Sequence, residues 1–513
     1  MRKFLLLIAV ALFSTATYAQ LWSKSISAVA EGDAVSLNSP AAMDKDGNLY
    51  VTGTKTLPIE FAGNEVGGED TGAYIAKYNA EGVEQYAIEL IGSIDITAIT
   101  TDAENNLYVA GSFAGGAMIQ GVTGDPKTIS NTEMDSKTAA FIAKYSAEGE
   151  LLAVKSYVAA LPSEDIWDLV SVSIEKIVAD GSKVYVEFDY TGNVAVEENL
   201  SLSAKYISVD FGFMIYCMVV NNVSVISFDS DFTNPTEIAT LTVADNAGQA
   251  TKLFSTNFTV ENGNVYVAAL ATGDIVMTTS AGTEALNFTT TDDGTGNMEE
   301  GAILAKVGEK TVKLSNELFA GYGYYNVISG MELKNGKLYI AGTFEGSLAF
   351  ANETVAVGAS DAFVASVDAN ELTVDWAVAN ANDEGATNQY YEAVSAVVLG
   401  NESVTVFDAV VDMNNNEAPV AKNYTVSYEG VITETEEAIA ATAVAYNANN
   451  IAVINYTNET IVTMYDSALT TTAIESVVAE AENNVIYDIT GRRVEKITNA
   501  GIYIINGNKV LVK

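Results

Sequence analysis

The sequence of 513 residues contains no histidine. This absence removes the most common general base, the Ser-His and Cys-His catalytic pairs, and the usual zinc ligand. Cysteine occurs once, so Cys217 has no second thiol with which to form a disulfide within the chain. Stability must therefore come from a large core, and a chain of this length is long enough to form one.

Positive charge is also scarce. The 25 Lys and Arg residues stand against 67 Asp and Glu residues, which gives a net charge of −42. This charge repels polyanions, so nucleic acids and acidic lipid surfaces are poor partners. Apolar runs reach only ten residues, at 4–13 and 211–220, whereas a membrane-spanning helix needs about 20. We therefore expect no membrane span in the mature chain.

The first 19 residues predict a secretory signal peptide. Arg2 and Lys3 form a charged start, an apolar run follows, and Thr17 and Ala19 place small residues just before Gln20. We expect cleavage after Ala19 and export of the mature chain.

A short phrase recurs along residues 20–468. It joins a turn rich in Asn and Gly to alternating apolar residues around a tyrosine, as in DKDGNLYVTG, DAENNLYVAG and KNGKLYIAG, with looser copies DGSKVYVEF and ENGNVYVAA. This pattern predicts a tight turn leading into a strand, because Asn and Gly adopt positive φ at little cost. Phrases such as AYIAKYNAEG and VDWAVA follow it, and a weaker apolar strand precedes it. Four strands in meander order therefore form one unit.

Seven variations on this unit predict a propeller. Repeats of this size with four strands each are typical of propeller blades. The seventh unit, at 442–465, lacks a fourth strand, and residues 21–27 resemble one because Trp22 matches Trp376 of VDWAVA. We expect the N-terminal strand to close the ring and so remove an exposed sheet edge. Six or eight blades are the alternatives.

These phrases resemble the β-propeller repeats of exported bacterial proteins that carry a GN-L/I-YV-x-G signature. The resemblance implies a β-propeller over roughly residues 20–468. Together with the seven units counted above, the sequence predicts an all-β fold of seven four-stranded blades closed by the N-terminal strand. Such a repeat specifies fold far better than function.

Residues 469–513 differ in character and predict a small β tail of three short strands, with turns at 490–491 and 506–507. This run resembles the C-terminal sorting domain of the type IX secretion system. The resemblance implies that the secretion machinery recognises the tail and delivers the protein through the periplasm to the cell surface or the extracellular space. The matching positions are Tyr487, Asp488, Gly491, Arg492, Gly501, Tyr503 and the closing stretch 509–513.

Two acid-rich segments raise the question of calcium, which takes oxygen ligands. The segment 292–300 could hold the ion, but a solvated blade loop is the simpler explanation. The segment 44–48 begins like an EF-hand loop, but Leu49 stands where the invariant glycine belongs and Lys55 stands at the position of the bidentate glutamate. A turn is therefore predicted at 44–48, and we expect no cofactor and assign no metal ligand.

Catalytic motifs are missing from the sequence. It has no GxSxG elbow, no P-loop, no GxGxxG on a βα unit and no Asp box of the sialidase type. Paired carboxylates can still cleave glycosidic bonds without histidine. The sequence thus favours a binding or scaffold protein with no catalytic residues, and the alternative is a carboxylate-based hydrolase or lyase that degrades polysaccharide.

Aromatic residues occur in several connections that lead from an outer strand to the next inner strand. These connections emerge on one face of a propeller, and flat rings on a concave face suit stacking against sugars. Packing of these rings between blades is the simpler explanation, and the functional hypothesis is a site for a glycan or protein ligand on that face. The candidates are Trp167, Tyr322, Tyr324, Tyr325, Tyr390 and Tyr391.

Overall fold

A computed structural model describes the greater part of the chain, and its described residues form strands and no α-helix. No helix among them is long and apolar enough to cross a membrane. The described residues are 20–27, 40–68, 70–133, 135–210, 212, 215–245, 247–248, 251–288, 301–313, 319–320, 327–344, 347–350, 353–356, 360–379, 390–401, 403–412, 420–434, 439, 441–456, 460–466, 486–488, 493–494, 501–505 and 508–512.

The strands of the first half of the chain are mostly short and joined by tight turns. They are β1 (Gln20–Ile26), β2 (Ala41–Met43), β3 (Leu49–Lys55), β4 (Ile59–Phe61), β5 (Asn64–Val66), β6 (Gly72–Tyr78), β7 (Glu84–Thr101), β8 (Leu107–Ile119), β9 (Lys127–Ser130), β10 (Ser136–Tyr145), β11 (Leu151–Tyr157), β12 (Ala159–Ala160), β13 (Val170–Asp180), β14 (Lys183–Tyr190), β15 (Asn193–Glu197), β16 (Leu200–Leu202), β17 (Tyr206–Asp210), β18 (Ile215–Val219), β19 (Asn222–Asp229) and β20 (Thr236–Val243).

The second half continues in the same manner. Its strands are β21 (Lys252–Glu261), β22 (Asn264–Thr272), β23 (Asp274–Thr279), β24 (Gly282–Asn287), β25 (Gly301–Lys306), β26 (Lys310–Lys313), β27 (Phe319–Ala320), β28 (Val327–Lys334), β29 (Lys337–Phe344), β30 (Ser347–Phe350), β31 (Glu353–Ala356), β32 (Asp361–Asp368), β33 (Val374–Ala379), β34 (Tyr390–Leu399), β35 (Ser403–Asp412), β36 (Val420–Ala421), β37 (Tyr424–Ser427), β38 (Ile432–Glu434), β39 (Ala443–Tyr446), β40 (Asn450–Tyr456), β41 (Thr460–Asp466), β42 (Ile486–Asp488), β43 (Arg493–Val494), β44 (Gly501–Ile505) and β45 (Asn508–Val512).

The body of the protein, Gln20–Ala468, is one compact unit, and β42 to β45 belong to another. Within the described part of the body, seven four-stranded antiparallel sheets follow one another. The first half of β7 is the outer strand of the first sheet, and its second half is the inner strand of the next. In order from inner to outer strand, the sheets are β2-β3-β6-β7, β7-β8-β10-β11, β13-β14-β19-β20, β21-β22-β25-β26, β28-β29-β32-β33, β34-β35-β37-β38 and β39-β40-β41-β1.

The inner strands of successive sheets contact one another in a closed cycle, in which β39 of the last sheet contacts β2 of the first. Sheets arranged radially around an axis in this way form a β-propeller. The predicted all-β propeller is confirmed. Its core lies between neighbouring sheets, where apolar side chains from two sheets interlock, as Ile142 and Phe188 do between the second and third.

The ring is closed by the N-terminal strand. Strand β1 pairs antiparallel with β41, from Gln20 opposite Tyr465 to Ile26 opposite Thr460. The prediction that this segment supplies the missing fourth strand of the last unit is confirmed by this pairing. Ile26 is fully buried, so the closing strand contributes to the core as well as to the sheet.

Trp22 and Trp376 occupy equivalent places, as their sequence match indicates. The indole of Trp22 donates a hydrogen bond to the carbonyl of Ala80 at 3.0 Å, in a turn of the next sheet. The indole of Trp376 donates in the same way to the carbonyl of Tyr428 at 3.0 Å. The backbone passes close to the ring at this point, because a Cβ on Gly82 would lie 2.6 Å from the Trp22 ring. One repeated contact therefore ties an outer strand to the following sheet.

The turn predicted at 44–48 is confirmed, and Asp44 builds it. Its Oδ1 atom accepts hydrogen bonds from the backbone N–H groups of Asp46 at 3.0 Å and Asn48 at 2.9 Å. Gly47 has a φ of 86°, which costs glycine little. The other acid-rich segment, 292–300, lies outside the described residues. Among the described residues, no group of three or more acidic, Cys or His side chains could hold a metal ion.

The C-terminal unit contains a sheet in the order β43-β42-β44-β45. Three strands were expected and four are present, because Arg493–Val494 also pairs with Ile486–Tyr487. Tyr487 and Asp488 lie on β42, and Gly501 and Tyr503 lie on β44. Gly491 and Arg492 of the predicted sorting motif lie outside the described residues, as does the predicted signal peptide.

Candidate functional site

The antiparallel order of each sheet determines which connections share a face of the propeller. Each inner strand begins on the face of the propeller where the outer strand of the preceding sheet ends. The second strand of its own sheet ends on that face too. The connections from an outer strand to the next inner strand therefore share one face with the connections from a second strand to a third strand. We call this the upper face.

Trp167 lies on the upper face, in the connection that leads into the inner strand β13. Its exposed fraction is 75%, so this ring is not packed between blades. The flanking residue Ile166 is buried and ties the connection to the body. The segment is thus anchored while its largest side chain faces solvent.

Two further exposed apolar residues lie on the segment of Trp167 and on the hairpin bonded to it. Leu169 is 56% exposed, and Ile215, on a hairpin inserted in the third sheet, is 62% exposed. The two segments are joined by a hydrogen bond that the Tyr216 hydroxyl donates to the Asp168 carboxylate at 2.6 Å, and this bond raises the pKa of Tyr216. We call Trp167, Leu169 and Ile215 the upper apolar patch.

Sequence reasoning identified only Trp167 of this patch. The hairpin β17-β18 that carries Ile215 lies within the longest spacing between equivalent tyrosines, from Tyr185 to Tyr266. That spacing was the signal that could have pointed to an inserted element. The alternation of residues within the insertion does not reveal which of them face solvent, so Ile215 itself was not predictable.

Of the other predicted aromatic residues, the structure describes the backbone position of two. Tyr390 and Tyr391 are the first two residues of β34 and so lie at the upper end of the sixth inner strand. The predicted residues Tyr322, Tyr324 and Tyr325 lie outside the described residues. Of the six candidates, the structure thus describes the side-chain exposure of Trp167. That the six residues share one ligand site remains a prediction.

The axis of the propeller carries features that the sequence did not suggest. Five inner strands hold one extra residue at similar positions, and such β-bulges redirect a side chain and often stand beside functional sites. The bulges lie at Thr97, Glu175, Ser329, Ser395 and, on β21, at Phe254 and Ser255. The hydroxyl of Thr97 donates to the carbonyl of Ile174 on the next inner strand, which locks two neighbouring inner strands together.

Several carboxyl groups gather around the third sheet. Partial desolvation, the larger cause, and the charge of Glu175 raise the pKa of Asp95. Burial raises the pKa of Glu187 to about 7 and that of Asp189 to about 8. Glu187 is almost fully buried and accepts a hydrogen bond from Thr256. It is therefore closed to a substrate.

A second group of carboxyls lies between the fifth and sixth sheets. Glu392 and Asp408 are almost fully buried, and Lys422 forms an ion pair with Glu392 at 3.0 Å. Burial, followed by the charge of Glu392, raises the pKa of Asp408 to about 8. Because no solvent reaches these groups, they bear on stability rather than on chemistry.

Lys55, which departs from the EF-hand pattern, also has a structural role. It is buried and forms an ion pair with Glu89 at 2.5 Å, and its ammonium group donates to the carbonyls of Gly68 at 3.0 Å and Asp70 at 3.2 Å. A buried charge must be paired and hydrogen-bonded, and these contacts account for the burial of Lys55 without a ligand.

Comparison with known proteins adds the following. The sequence matches no protein-family model and no curated protein. Among solved structures, it is similar to BamB from Moraxella catarrhalis, at 10% identity over 88% of this chain and 100% of that chain, with a TM-score of 0.33. It is similar to the quinohemoprotein alcohol dehydrogenase from Comamonas testosteroni, at 11% identity over 88% of this chain and 77% of that one, with a TM-score of 0.39.

A third similarity is to the GH93 α-L-arabinofuranosidase of Fusarium graminearum, at 10% identity over 79% of this chain and 98% of that one, with a TM-score of 0.39. Identities and TM-scores this low transfer no function. The assignment of the fold rests on the sheets themselves, and the chain is a β-propeller protein by its own strand order.

Proposed function

We propose that the protein is an exported binding or scaffold protein that holds a glycan on its upper face and does not catalyse a reaction. The observation that carries this proposal is the exposure of Trp167. Leu169 on the same segment and Ile215 on the hairpin bonded to it are also exposed. The predicted signal peptide and the sorting-like tail support its export to the cell surface or the extracellular space.

The contrast among the three tryptophans strengthens the argument. Trp22 and Trp376 are partly buried and use their indole N–H groups to join neighbouring sheets. Trp167 presents its ring to solvent instead. A large exposed aromatic side chain contributes nothing to the core, whereas it offers a flat apolar surface on which the C–H face of a sugar ring can stack.

Polar groups next to the ring suit the same ligand. Asp168 follows Trp167 in the sequence and accepts the hydrogen bond of the Tyr216 hydroxyl, and both groups can exchange hydrogen bonds with sugar hydroxyls. Sites of this kind combine apolar surface with a few placed polar groups. We therefore expect a glycan to bind here, and a protein ligand is the other outcome that the experiment must distinguish.

The enzyme alternative finds less support in the geometry. Most carboxyls with strongly raised pKa values, such as Glu187 and Asp408, are buried away from solvent. A general acid must come within hydrogen-bond reach of the substrate. The arrangement of these groups therefore favours a structural role over polysaccharide cleavage.

The test is a glycan array with the mature protein, followed by titration of each hit with Trp167→Ala. Loss of the ring should weaken binding by about 1 kcal/mol or more, as truncation of hot-spot residues does, and should leave the unfolding midpoint unchanged. Val83→Ala is the matched control, because Val83 is 55% exposed and lies in a turn on the opposite face.

Four results would contradict the proposal. Equal binding by wild type and Trp167→Ala would remove the stacking role. A stability loss of about 3–5 kcal/mol in Trp167→Ala would mark a core residue. Release of glycan fragments, abolished by a single Asp or Glu replacement, would make the protein an enzyme. Binding of a protein partner through Trp167, with no glycan bound, would mean that the ligand is a protein and not a glycan.

A further inference from the structure

Two Asn-Gly pairs form the same kind of turn in neighbouring sheets, on the face opposite the upper one. Asn262 and Gly263 join β21 to β22, and Asn335 and Gly336 join β28 to β29. The φ angles are 52° and 78° in the first turn and 53° and 74° in the second, as in two-residue hairpin turns whose central residues are both left-handed. All four residues are exposed, and a Cβ on either glycine would meet nothing within 4 Å. The two turns therefore present the same dipeptide to solvent in the same backbone conformation.

The backbone of the first turn is held by the sheet before it. Asp180, the last residue of β13, accepts a hydrogen bond from the N–H of Asn262 at 3.3 Å and another from the N–H of Gly263 at 2.7 Å. Hydrogen bonds to an ionised group are stronger than those between neutral groups. The nitrogen of Gly263 is therefore engaged with a carboxylate.

The second turn has no such clamp. Within the described part of the chain, no group accepts a hydrogen bond from the N–H of Gly336 or bonds to the side chain of Asn335. Glu261, the last residue of β21, is the counterpart of Asp180 for this turn, and it is exposed. The carbonyl of Gly336 accepts a hydrogen bond from the N–H of Ala369 at 3.0 Å, which leaves the Gly336 nitrogen accessible.

The charges around the two turns differ in the same direction. Lys334 and Lys337 flank the second turn, and the two aspartates that pair with Lys337 balance these charges. The first turn lies beside Asp180 and directly after Glu261, which are both negative. Because a negative neighbour disfavours formation of a further negative charge, the glycine nitrogen of the second turn loses its proton more readily than that of the first.

We propose that Asn335 is a site of spontaneous deamidation, and that Asp180 protects Asn262 from the same reaction. The Gly336 nitrogen gives its proton to a base in the solvent and attacks the side-chain carbonyl carbon of Asn335. The side-chain nitrogen takes a proton from water and leaves as ammonia, which closes a cyclic imide. A water molecule then opens the imide at either carbonyl and gives aspartate or isoaspartate. Water is the only reagent, and asparagine is among the thermolabile residues of proteins.

Both products change the hairpin that begins the fifth sheet. Aspartate adds a negative charge next to Lys334, whose ammonium group bonds to the carbonyl of Gly400 in the sixth sheet. Isoaspartate lengthens the backbone of the turn by one carbon atom. The pairing of Lys334 with Lys337 across the turn depends on the length of the turn, so isoaspartate disturbs this pairing.

The test is incubation of the folded mature chain in mildly alkaline buffer, followed by cleavage beside aromatic residues and mass spectrometry. The peptides that end at Tyr266 and Tyr339 contain the two asparagines, and conversion replaces an amide by a heavier acid. We expect conversion at Asn335 to be about tenfold faster than at Asn262, because a hydrogen bond to a charged group must break before Gly263 can react. Labelling by an isoaspartate methyltransferase identifies the second product.

The variant Asp180→Ala removes the clamp. It should accelerate conversion at Asn262 about tenfold and leave the rate at Asn335 unchanged. Asp46→Ala is the matched control, because Asp46 likewise bonds to the next turn, accepting from the side chain of Asn105 at 2.6 Å. It should leave both rates as they are in the wild type.

Equal rates at Asn262 and Asn335 in the folded wild type would overturn the proposal. So would an intact Asn335 in the folded chain under conditions that convert it in the chain unfolded by guanidinium. A folded Asp180→Ala variant with an unchanged rate at Asn262 would remove the protective role of Asp180. If that variant does not fold, the wild type decides the matter, because unfolding should accelerate Asn262 more than Asn335, and equal acceleration would overturn the proposal.

Discussion

Removal of the closing strand, residues 20–26, should destabilise the whole body of the protein. Two side chains carry most of the expected loss. Replacing a fully buried isoleucine such as Ile26 with alanine costs about 2–5 kcal/mol, and truncating a tryptophan such as Trp22 costs about 3–5 kcal/mol. Their combined loss, together with the unpaired edge left on β41, matches the total stability of about 5–15 kcal/mol of a typical domain.

The measurement is urea unfolding followed by far-UV circular dichroism, comparing the mature chain with the chain that begins at Ser27. Two point variants separate the contribution of the core from that of the strand. Ile26→Ala should lower the free energy of unfolding by about 2–5 kcal/mol. Leu21→Ala should change it by less than about 0.5 kcal/mol, because Leu21 is 52% exposed on the same strand.

Two results would refute this reasoning. An unchanged midpoint for the shortened chain would mean that the pairing of β1 with β41 contributes nothing to the stability of the ring. Equal losses for Ile26→Ala and Leu21→Ala would mean that the burial of Ile26 does not govern the effect. Either result would also weaken the case that the last sheet is completed by the N-terminal strand.

Three further predictions concern charges and the tail. Lys55→Met leaves Glu89 buried without its partner and should cost about 3–5 kcal/mol in urea unfolding. Burial raises the pKa of Asp408 from 3.8 to about 8, so the stability it contributes is full below the lower value and is lost as pH rises through the higher one. The free energy of unfolding then falls by up to about 1.4 kcal/mol per pH unit. Asp408→Asn should abolish this pH dependence in unfolding midpoints measured between pH 5 and 8. An unchanged slope of the midpoint against pH would contradict the prediction. Deletion of 469–513 should leave the unfolding midpoint unchanged and retain the protein in the periplasm of its host, whereas normal delivery would rule out the sorting role.

The turns and strands of the body were predictable from the sequence because their causes are local. Asp44 and Asn48 form their turn through bonds within five residues, and alternating apolar residues then define the strand that follows. The match between Trp22 and Trp376 predicted the ring closure, since both side chains serve the same contact. The tail was less predictable, because Arg493–Val494 is too short to give a periodic signal.

The sequence by itself thus determined the repeated sheet, its turns and the strand that closes the ring, because each depends on residue chemistry repeated at short range. Only the tertiary structure decided that the hairpin of Ile215 and Tyr216 meets the segment of Trp167 and Asp168. It likewise decided that the Thr97 hydroxyl bonds to Ile174 on the next inner strand. These neighbours are far apart in the sequence. An alternating pattern shows which face of a strand is buried, but it does not show which distant side chain lies opposite, and the candidate sites depend on that second property.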